Sequence, residues 1–161
     1  MGAEAGRSAI VTGGASGIGR AAALLLGEDG YNVTVADRDA AGGEETAALV
    51  NRSGSGRAHF IATDVADEAS VKAMVASAVA TYGRLDGAIN SAGVEGTGVQ
   101  LHLLSLEAWN RHIQINLTGV FLCVKHQLAP MLEQGGGGSI VCVSSAAALM
   151  GLPVFADYCA S

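Results

Sequence analysis

The 161-residue sequence predicts an α/β fold, a doubly wound parallel sheet built by one domain over residues 1–161. Three observations predict it. Short apolar runs of strand length alternate with longer helical patterns from end to end. A glycine-rich turn, Thr12-Gly13-Gly14-Ala15-Ser16-Gly17-Ile18-Gly19, separates the first such run from the first helix. Half of the residues are hydrophobic and 15% are charged, which suits a packed core and not a disordered chain.

Taken in order, Ala9-Ile10-Val11 is the first strand, and the helix that opens near Gly17 closes near Gly30, a predicted C-cap. Asn32 to Ala36 alternates as the second strand and stops at Asp37. Asp39 is placed to cap the next helix, which runs towards Val50 with Gly42-Gly43 as a weak start. Asn51 to Gly56 has loop composition, and His59 to Ala62 is the third strand, closed by Thr63-Asp64. Asp67 caps an amphipathic helix whose apolar positions are Val71, Met74, Val75, Ala78, Val79 and Tyr82, ended by Gly83.

Leu85 to Asn90 is the fourth strand, followed by Ser91-Ala92-Gly93 and a glycine-rich loop. One long helix is expected from Ser105, with Trp109, Ile113, Leu117, Val120, Val124 and Leu128 as its apolar face and Pro130 near its end. After the turn at Gly135 to Gly138, Ser139 to Val143 is a fifth strand of buried character. No repeat and no second domain appears.

The formal net charge of −6, with no basic patch, argues against a nucleic-acid partner. Cys123, Cys142 and Cys159 are odd in number, lack C-x-x-C spacing and sit among apolar residues, so reduced buried thiols are expected. His59, His102, His112 and His126 show no ligand spacing, and no metal site is expected. The N-terminus lacks a secretory pattern, Gly6 stands where a myristoylation signal needs Ser or Thr, and the sequons at Asn32, Asn51 and Asn116 are read as accidental. The weakly charged stretch Ser139 to Ala156 is broken by Ser144, Ser145, Gly151 and Pro153, a poor membrane span. A cytoplasmic protein that avoids membranes is expected.

The chemistry of the glycine turn is a matter of backbone access. Glycine lets the main chain take positive φ and approach a bulky anion, and the helix after the turn aims unpaired N–H groups and its dipole at it. Strand, glycine turn, helix is the context of a dinucleotide-phosphate loop, here spaced Gly-x-x-x-Gly-x-Gly.

Together with that turn, Asp64-Val65, Asn90-Ser91-Ala92-Gly93, Asn116, Ser144-Ser145 and Tyr158-Cys159-Ala160-Ser161 resemble the classical short-chain dehydrogenase/reductase family, in its order and spacing over nearly the whole chain. The resemblance implies a Rossmann-type fold and a reversible hydride transfer between a nicotinamide dinucleotide and a secondary alcohol or ketone. It implies that Gly13, Ser16, Gly17, Ile18 and Gly19 hold the pyrophosphate. Asp37 would accept the adenosine ribose hydroxyls and repel a 2′-phosphate. With no Arg or Lys inside the glycine turn, NAD is favoured over NADP; Arg38 is the neighbouring cation that could attract the phosphate. Asp64 would touch the adenine with Val65 beside it, and Asn90, Ala92 and Gly93 would belong to the cofactor-binding set while mainly stabilising the central sheet, Ser91 replacing the family's asparagine.

The resemblance also assigns the chemistry. Ser145 stands thirteen residues before Tyr158, the family spacing. Tyr158 would be the general acid and base, Ser145 would orient the substrate oxygen, and Asn116 would hold a helix kink and a water in the proton relay. The family motif continues as Tyr-x-x-x-Lys, and that lysine would follow Ser161. An unperturbed tyrosine is only ~0.1% phenolate at neutral pH, so the ammonium matters to catalysis. The expectation is therefore a family member truncated at its C-terminus, without the last strands of the fold, leaving strand five an exposed edge and the Tyr158 helix about one turn long. Two outcomes stay open: part of a working dehydrogenase, or a truncated dinucleotide-binding segment without turnover. Relatives of this type form dimers or tetramers, partly through the long helix, and a homo-oligomer is implied for the full-length form. Substrate contacts are expected from the loop after Gly93 and from Ala146 to Leu152, with Val94, Leu149 and Leu152 suggesting an apolar pocket.

Overall fold

In the computed structural model, which describes residues 6–53 and 55–161, strands β1 (Ser8–Thr12), β2 (Asn32–Asp37), β3 (Ala58–Ala62), β4 (Gly87–Asn90) and β5 (Ser139–Cys142) are all parallel. They lie in the order β3-β2-β1-β4-β5. The chain walks outward from β1 through β2 to β3, then returns to the other side of β1. Thr12 is in register with Ala36 on one side and Asn90 on the other, so the carboxyl ends of three strands meet at one level, at the point where the order reverses. That crevice is where open parallel sheets bind ligands. The first five residues, where a secretory or myristoylation signal would begin, and Gly54 of the expected loop fall outside the described residues.

Helices α1 (Gly17–Glu28) and α2 (Ala40–Ser53) cover one face, and α3 (Glu68–Tyr82) and α5 (Gly119–Glu133) the other. Successive β1 side chains serve the two layers, as strand geometry requires. Val11 joins Ala23, Val33, Val35, Ala47 and Val50. Ile10 joins Val71, Met74, Ala78, Ala88, Leu122, Cys123 and Met131. Each fully buried Val, Ile or Met contributes roughly 1.5–3 kcal/mol of burial free energy.

The local signals act as their chemistry demands. Asp67 accepts Ala69 N–H at the start of α3, and Gly83 ends it in the left-handed region. Past α1, Gly30 N–H bonds Gly27 O and Tyr31 N–H bonds Leu26 O, closing that helix with a glycine turn. Asp39 Oδ1 accepts Gly42 N–H at the start of α2.

Four expectations are corrected. Helix α2 continues to Ser53, because Asn51 exchanges two hydrogen bonds with the backbone of Ala58 and holds the last turn against β3. Gly42 and Gly43 are more than a weak start: a Cβ at Gly43 would stand 2.2 Å from the Phe60 ring, so its lack of a side chain lets α2 pack on β3, and a Cβ at Gly42 would stand 2.9 Å from Ala15 O in the glycine turn. The long helix is divided into α4 (Leu106–His112), a π-helical segment (Ile113–Thr118) and α5. A π turn rotates the helix beyond it, and the buried positions become Gly119, Leu122, Cys123, Gln127 and Met131, while Leu117 and Leu128 are 50% and 42% exposed. Strand β5 lacks the buried character its composition suggests, with Val141 52% exposed, and is the exposed edge that the resemblance implies.

The cysteines divide likewise. All three are free, but only Cys123 is buried, and burial, reinforced by Cys142, pushes its thiol up to about 12. Among the described residues, no helix is long and apolar enough to cross a membrane.

Candidate active site

The glycine turn is shaped by three different constraints. Gly13 takes φ +68° and lies against the segment that follows β4, where a Cβ would stand 2.8 Å from Ala92 N. Gly19 is buried; a Cβ there would meet Gly13 O at 2.2 Å, so α1 can start this close beneath the turn only without one. Gly17 takes φ +51° with nothing within 4 Å of its Cβ position. Its open side faces the crevice, where a ligand's backbone contacts need the space. The first backbone bond of α1 runs from Arg20 N–H to Ser16 O, so the N–H groups of Gly17, Ile18 and Gly19 in its first turn have no acceptor within the helix. Ser16 makes no side-chain cap, and no acidic residue occupies the first turn. This is an uncompensated positive helix end, suited to a pyrophosphate.

Arg20, which the sequence pattern does not single out, braces the turn from behind. Its guanidinium donates to Ala15 O at 2.6 Å and to Thr46 Oγ1 at 2.9 Å, and pairs with Glu45 at 2.8 Å.

Next to the turn, Ala36, Asp37, Arg38, Thr63, Asp64, Val65, Ala92 and Gly93 enclose a narrow slot. Asp37 accepts Ala15 N–H through Oδ2 and Asp39 N–H through Oδ1, each at 3.0 Å. It therefore anchors the turn to the end of β2 while each oxygen keeps a lone pair for a ligand hydroxyl. Arg38, with its side chain 70% exposed, lies 3.7 Å from Asp64. Asp64 also accepts Ala66 N–H at 3.0 Å, closing the turn after β3.

The end of β4 is fixed by side chains. Thr12 Oγ1 accepts the N–H groups of both Ser91 and Ala92 at 3.2 Å. Asn90 is buried and exchanges two hydrogen bonds, 3.0 and 2.9 Å, with the amide of Gln127 on α5. Gln127 is a second residue that sequence reasoning missed; a buried glutamine among apolar helix positions is its only signal. Asn90 and Gly19 lie beneath the crevice and support it; neither lines it.

The remaining site residues come from the far half of the chain. Asn116 sits in the π segment. Its Oδ1 accepts Val94 N–H at 2.9 Å, and its Nδ2 donates to Val94 O and to Ser161 Oγ, both at 3.0 Å. Ser145 follows β5 and accepts Ala147 N–H at 3.2 Å, capping a short 3-10 turn over Ala146–Ala148. Tyr158 is on α6 (Ala156–Cys159), and Asp157 before it is buried. Burial alone would raise the Asp157 carboxyl; hydrogen bonds from Thr97 and from Tyr158 N–H, with the His112 ring beside it, hold it below the usual range. Gly96 closes the junction, where a Cβ would come within 2.9 Å of Tyr158 Cβ.

One open cleft joins these parts. Gly13, Ser16, Gly17, Ile18 and Asp37 line it at one end, and Asn116, Ser145 and Tyr158 at the other. Its volume of about 890 Å³ falls within the roughly 300–1,000 Å³ of small-molecule sites. Val94, Val120, Val143 and Ala148 form apolar wall. Of the expected substrate contacts, Val94 lines the cleft, whereas Leu149 is 92% exposed and Leu152 also faces solvent.

A family model described as short chain dehydrogenase matches residues 7–161. The chain belongs to the short-chain dehydrogenase family. Among its relatives, the 2,5-dichloro-2,5-cyclohexadiene-1,4-diol dehydrogenase of Sphingobium indicum is 46% identical over 153 residues, covering 95% of this chain and 60% of that protein. The cis-4-hydroxycyclohexanecarboxylate dehydrogenase of Sinomonas cyclohexanicum is 43% identical over 159 residues, covering 99% of this chain and 63% of that one. A crystal structure of NAD+-bound xylitol dehydrogenase superposes with a TM-score of 0.90 at 32% identity, covering 94% of this chain and 58% of that structure. The chain thus spans about 60% of the length of these curated relatives. The family is enzymatic, uses nicotinamide dinucleotides, and its members named here are dehydrogenases.

Proposed function

We propose that this short-chain dehydrogenase segment binds NAD and that the protein it belongs to transfers hydride reversibly between NAD and a small cyclic secondary alcohol or ketone. One observation carries the reading: the orphan N–H groups of α1 and the residues Asn116, Ser145 and Tyr158 line a single cleft. The donor set fits a dinucleotide. It offers an uncompensated helix N-terminus, a side-chain-free Gly17, and two carboxylates, Asp37 and Asp64, at the slot. Asp37 favours an unphosphorylated ribose, and Arg38 is drawn towards Asp64, which supports NAD over NADP.

When bound, the nicotinamide supplies or takes up the hydride. Tyr158 donates its phenolic proton as the carbonyl oxygen gains charge, and reclaims one in alcohol oxidation. Ser145 already accepts Ala147 N–H, so its own O–H is free to hydrogen-bond the same oxygen. Asn116 holds the wall of the cleft and the end of the Tyr158 segment at once. The apolar wall suits ring carbons, and two relatives carry ring compounds in their names. The exposed stripe of Phe121, Leu128 and Leu132 on α5 supports a homo-dimer or homo-tetramer of the full-length form.

A second reading, a dinucleotide-binding segment without turnover, is favoured by the positions of the lysines. The sequence has two, Lys72 and Lys125, and both pair with Glu68, so neither supplies an ammonium to Tyr158. Incubation with NAD and a panel of cyclic secondary alcohols, followed by reduced-nicotinamide absorbance, tests both. Turnover that Tyr158→Phe abolishes supports the first; turnover that survives Tyr158→Phe overturns the general-acid assignment. Binding without turnover selects the second.

A further inference from the structure

His112 and Asp157 form a buried polar cluster that the proposed chemistry does not use. His112 ends α4 and is 1% exposed; Asp157 lies in the first turn of α6 and is 0% exposed. The His112 ring has acceptors at both nitrogens. Nδ1 lies 2.7 Å from Ala108 O and 3.4 Å from Asp157 Oδ2, and Nε2 lies 2.7 Å from Glu95 O. A carbonyl oxygen can only accept, so each nitrogen must carry a proton, and a ring with two N–H groups is an imidazolium. Its counter-charge is at hand. The Asp157 carboxylate accepts Thr97 N–H at 3.1 Å through Oδ2 and Tyr158 N–H at 2.9 Å through Oδ1. Among the described residues, no other charged side chain hydrogen-bonds the ring or the carboxylate. Glu95 contributes its carbonyl, and its side chain is exposed.

We propose that His112 and Asp157 are positioning residues for Tyr158, a buried imidazolium–carboxylate pair that locks the cleft wall at Glu95 to Thr97 and the Tyr158 backbone to the end of α4. Three segments distant in sequence converge on the pair, and Gly96 lets them close. The pair also leaves the junction electrically neutral, so a buried carboxylate sits one residue from the phenol without an unbalanced negative charge. Two buried charges hold such a geometry because separating them strands each in a medium that cannot solvate it. The inference rests on Tyr158 being the functional residue only for its purpose; the charge state and the lock are measurable without turnover.

The test is nitrogen-15 NMR of the histidine-labelled chain. Two ring N–H signals from His112 at neutral pH, both slow to exchange, are expected; one nitrogen with the shift of an unprotonated ring atom overturns the proposal. Side-chain resonances of Tyr158 and the exchange rate of the Thr97 amide are then followed in His112→Gln, Asp157→Asn and the double variant. Each single change should shift the Tyr158 signals and speed Thr97 exchange at least ten-fold, and the neutral double variant should recover part of both. Singles that leave both readouts unchanged contradict it, as does a double variant that adds the two effects. Should a single variant fail to fold, the ring N–H count in the unaltered chain decides. Loss of the general-acid assignment through an active Tyr158→Phe would leave these signals as predicted, which separates the two failures.

Discussion

Asn116 and Ser161 are joined at 3.0 Å, Nδ2 to Oγ, by the same amide that clasps both backbone groups of Val94. The residue after Tyr158-Cys159-Ala160 is thereby tied to the π segment and to the loop that comes after β4. On the other side of Tyr158, Asp157 reaches Thr97 in the same loop. The tyrosine is bracketed from both sides by side chains that share one loop.

Asn116→Ala should release that bracket. It removes the partners of Val94 and Ser161 and leaves a part-buried N–H unsatisfied, a loss of about 1–3 kcal/mol. Thermal unfolding should show a fall of several degrees, and hydrogen exchange should quicken first at Val94. Unchanged protection at Val94 would contradict the clasp.

The glycines of the turn should fail in different ways. Gly13→Ala sets a Cβ 2.8 Å from Ala92 N on top of its positive φ, and a loss of more than about 2 kcal/mol is expected. Gly17→Ala meets no protein atom and carries only the strain of a left-handed backbone, about 1–2 kcal/mol. Circular-dichroism melts should therefore rank Gly13→Ala well below Gly17→Ala.

Glu68 predicts a pH dependence. Hydrogen bonds from Lys125 and His126, then the charges of Lys125 and Lys72, hold its carboxyl at about 2. Because the folded value lies below the unfolded one, its contribution is present above the ordinary carboxylate range, near pH 4.3, and is lost as pH falls towards 2. Melting points of the unaltered chain and Glu68→Gln should differ at pH 6 and converge near pH 2. Salt should narrow the gap, since the carboxylate is exposed.

The thiols give a map of burial. With Cys123 raised to about 12, alkylation at pH 8 should spare it until the chain unfolds, while the exposed Cys142 reacts. Cys142 also lines the cleft, so NAD should slow its labelling. Mass spectrometry of the alkylated peptides reads both outcomes.

What the sequence revealed was local. The caps at Asp67 and Asp39, the turns at Gly30 and Gly83 and the glycine turn itself act over a few residues, and their spacing exposes them. The features that escaped need a distant partner. Asn90 and Gln127 are 37 positions apart, and His112 meets Asp157 across a separation in sequence that no periodicity marks. The π segment escaped because an inserted residue is invisible to a 3.6-residue pattern. It moved burial from Leu117 and Leu128 to Leu122, Cys123 and Gln127. For β5 the two readings diverged: its apolar composition suggested burial, because composition reports what a strand can be buried against, whereas the family resemblance placed it as an edge, and among the described residues no strand pairs with its outer side.

The central claim is that the turn from Thr12 to Gly19 cradles a dinucleotide at the reversal of the strand order. Calorimetric titration of the chain with NAD, run beside Gly17→Ala, tests it most directly. Saturable one-to-one binding, weakened at least ten-fold in the folded Gly17→Ala variant and weaker still for NADP, is the predicted result. No binding, or equal binding by the variant, would contradict it.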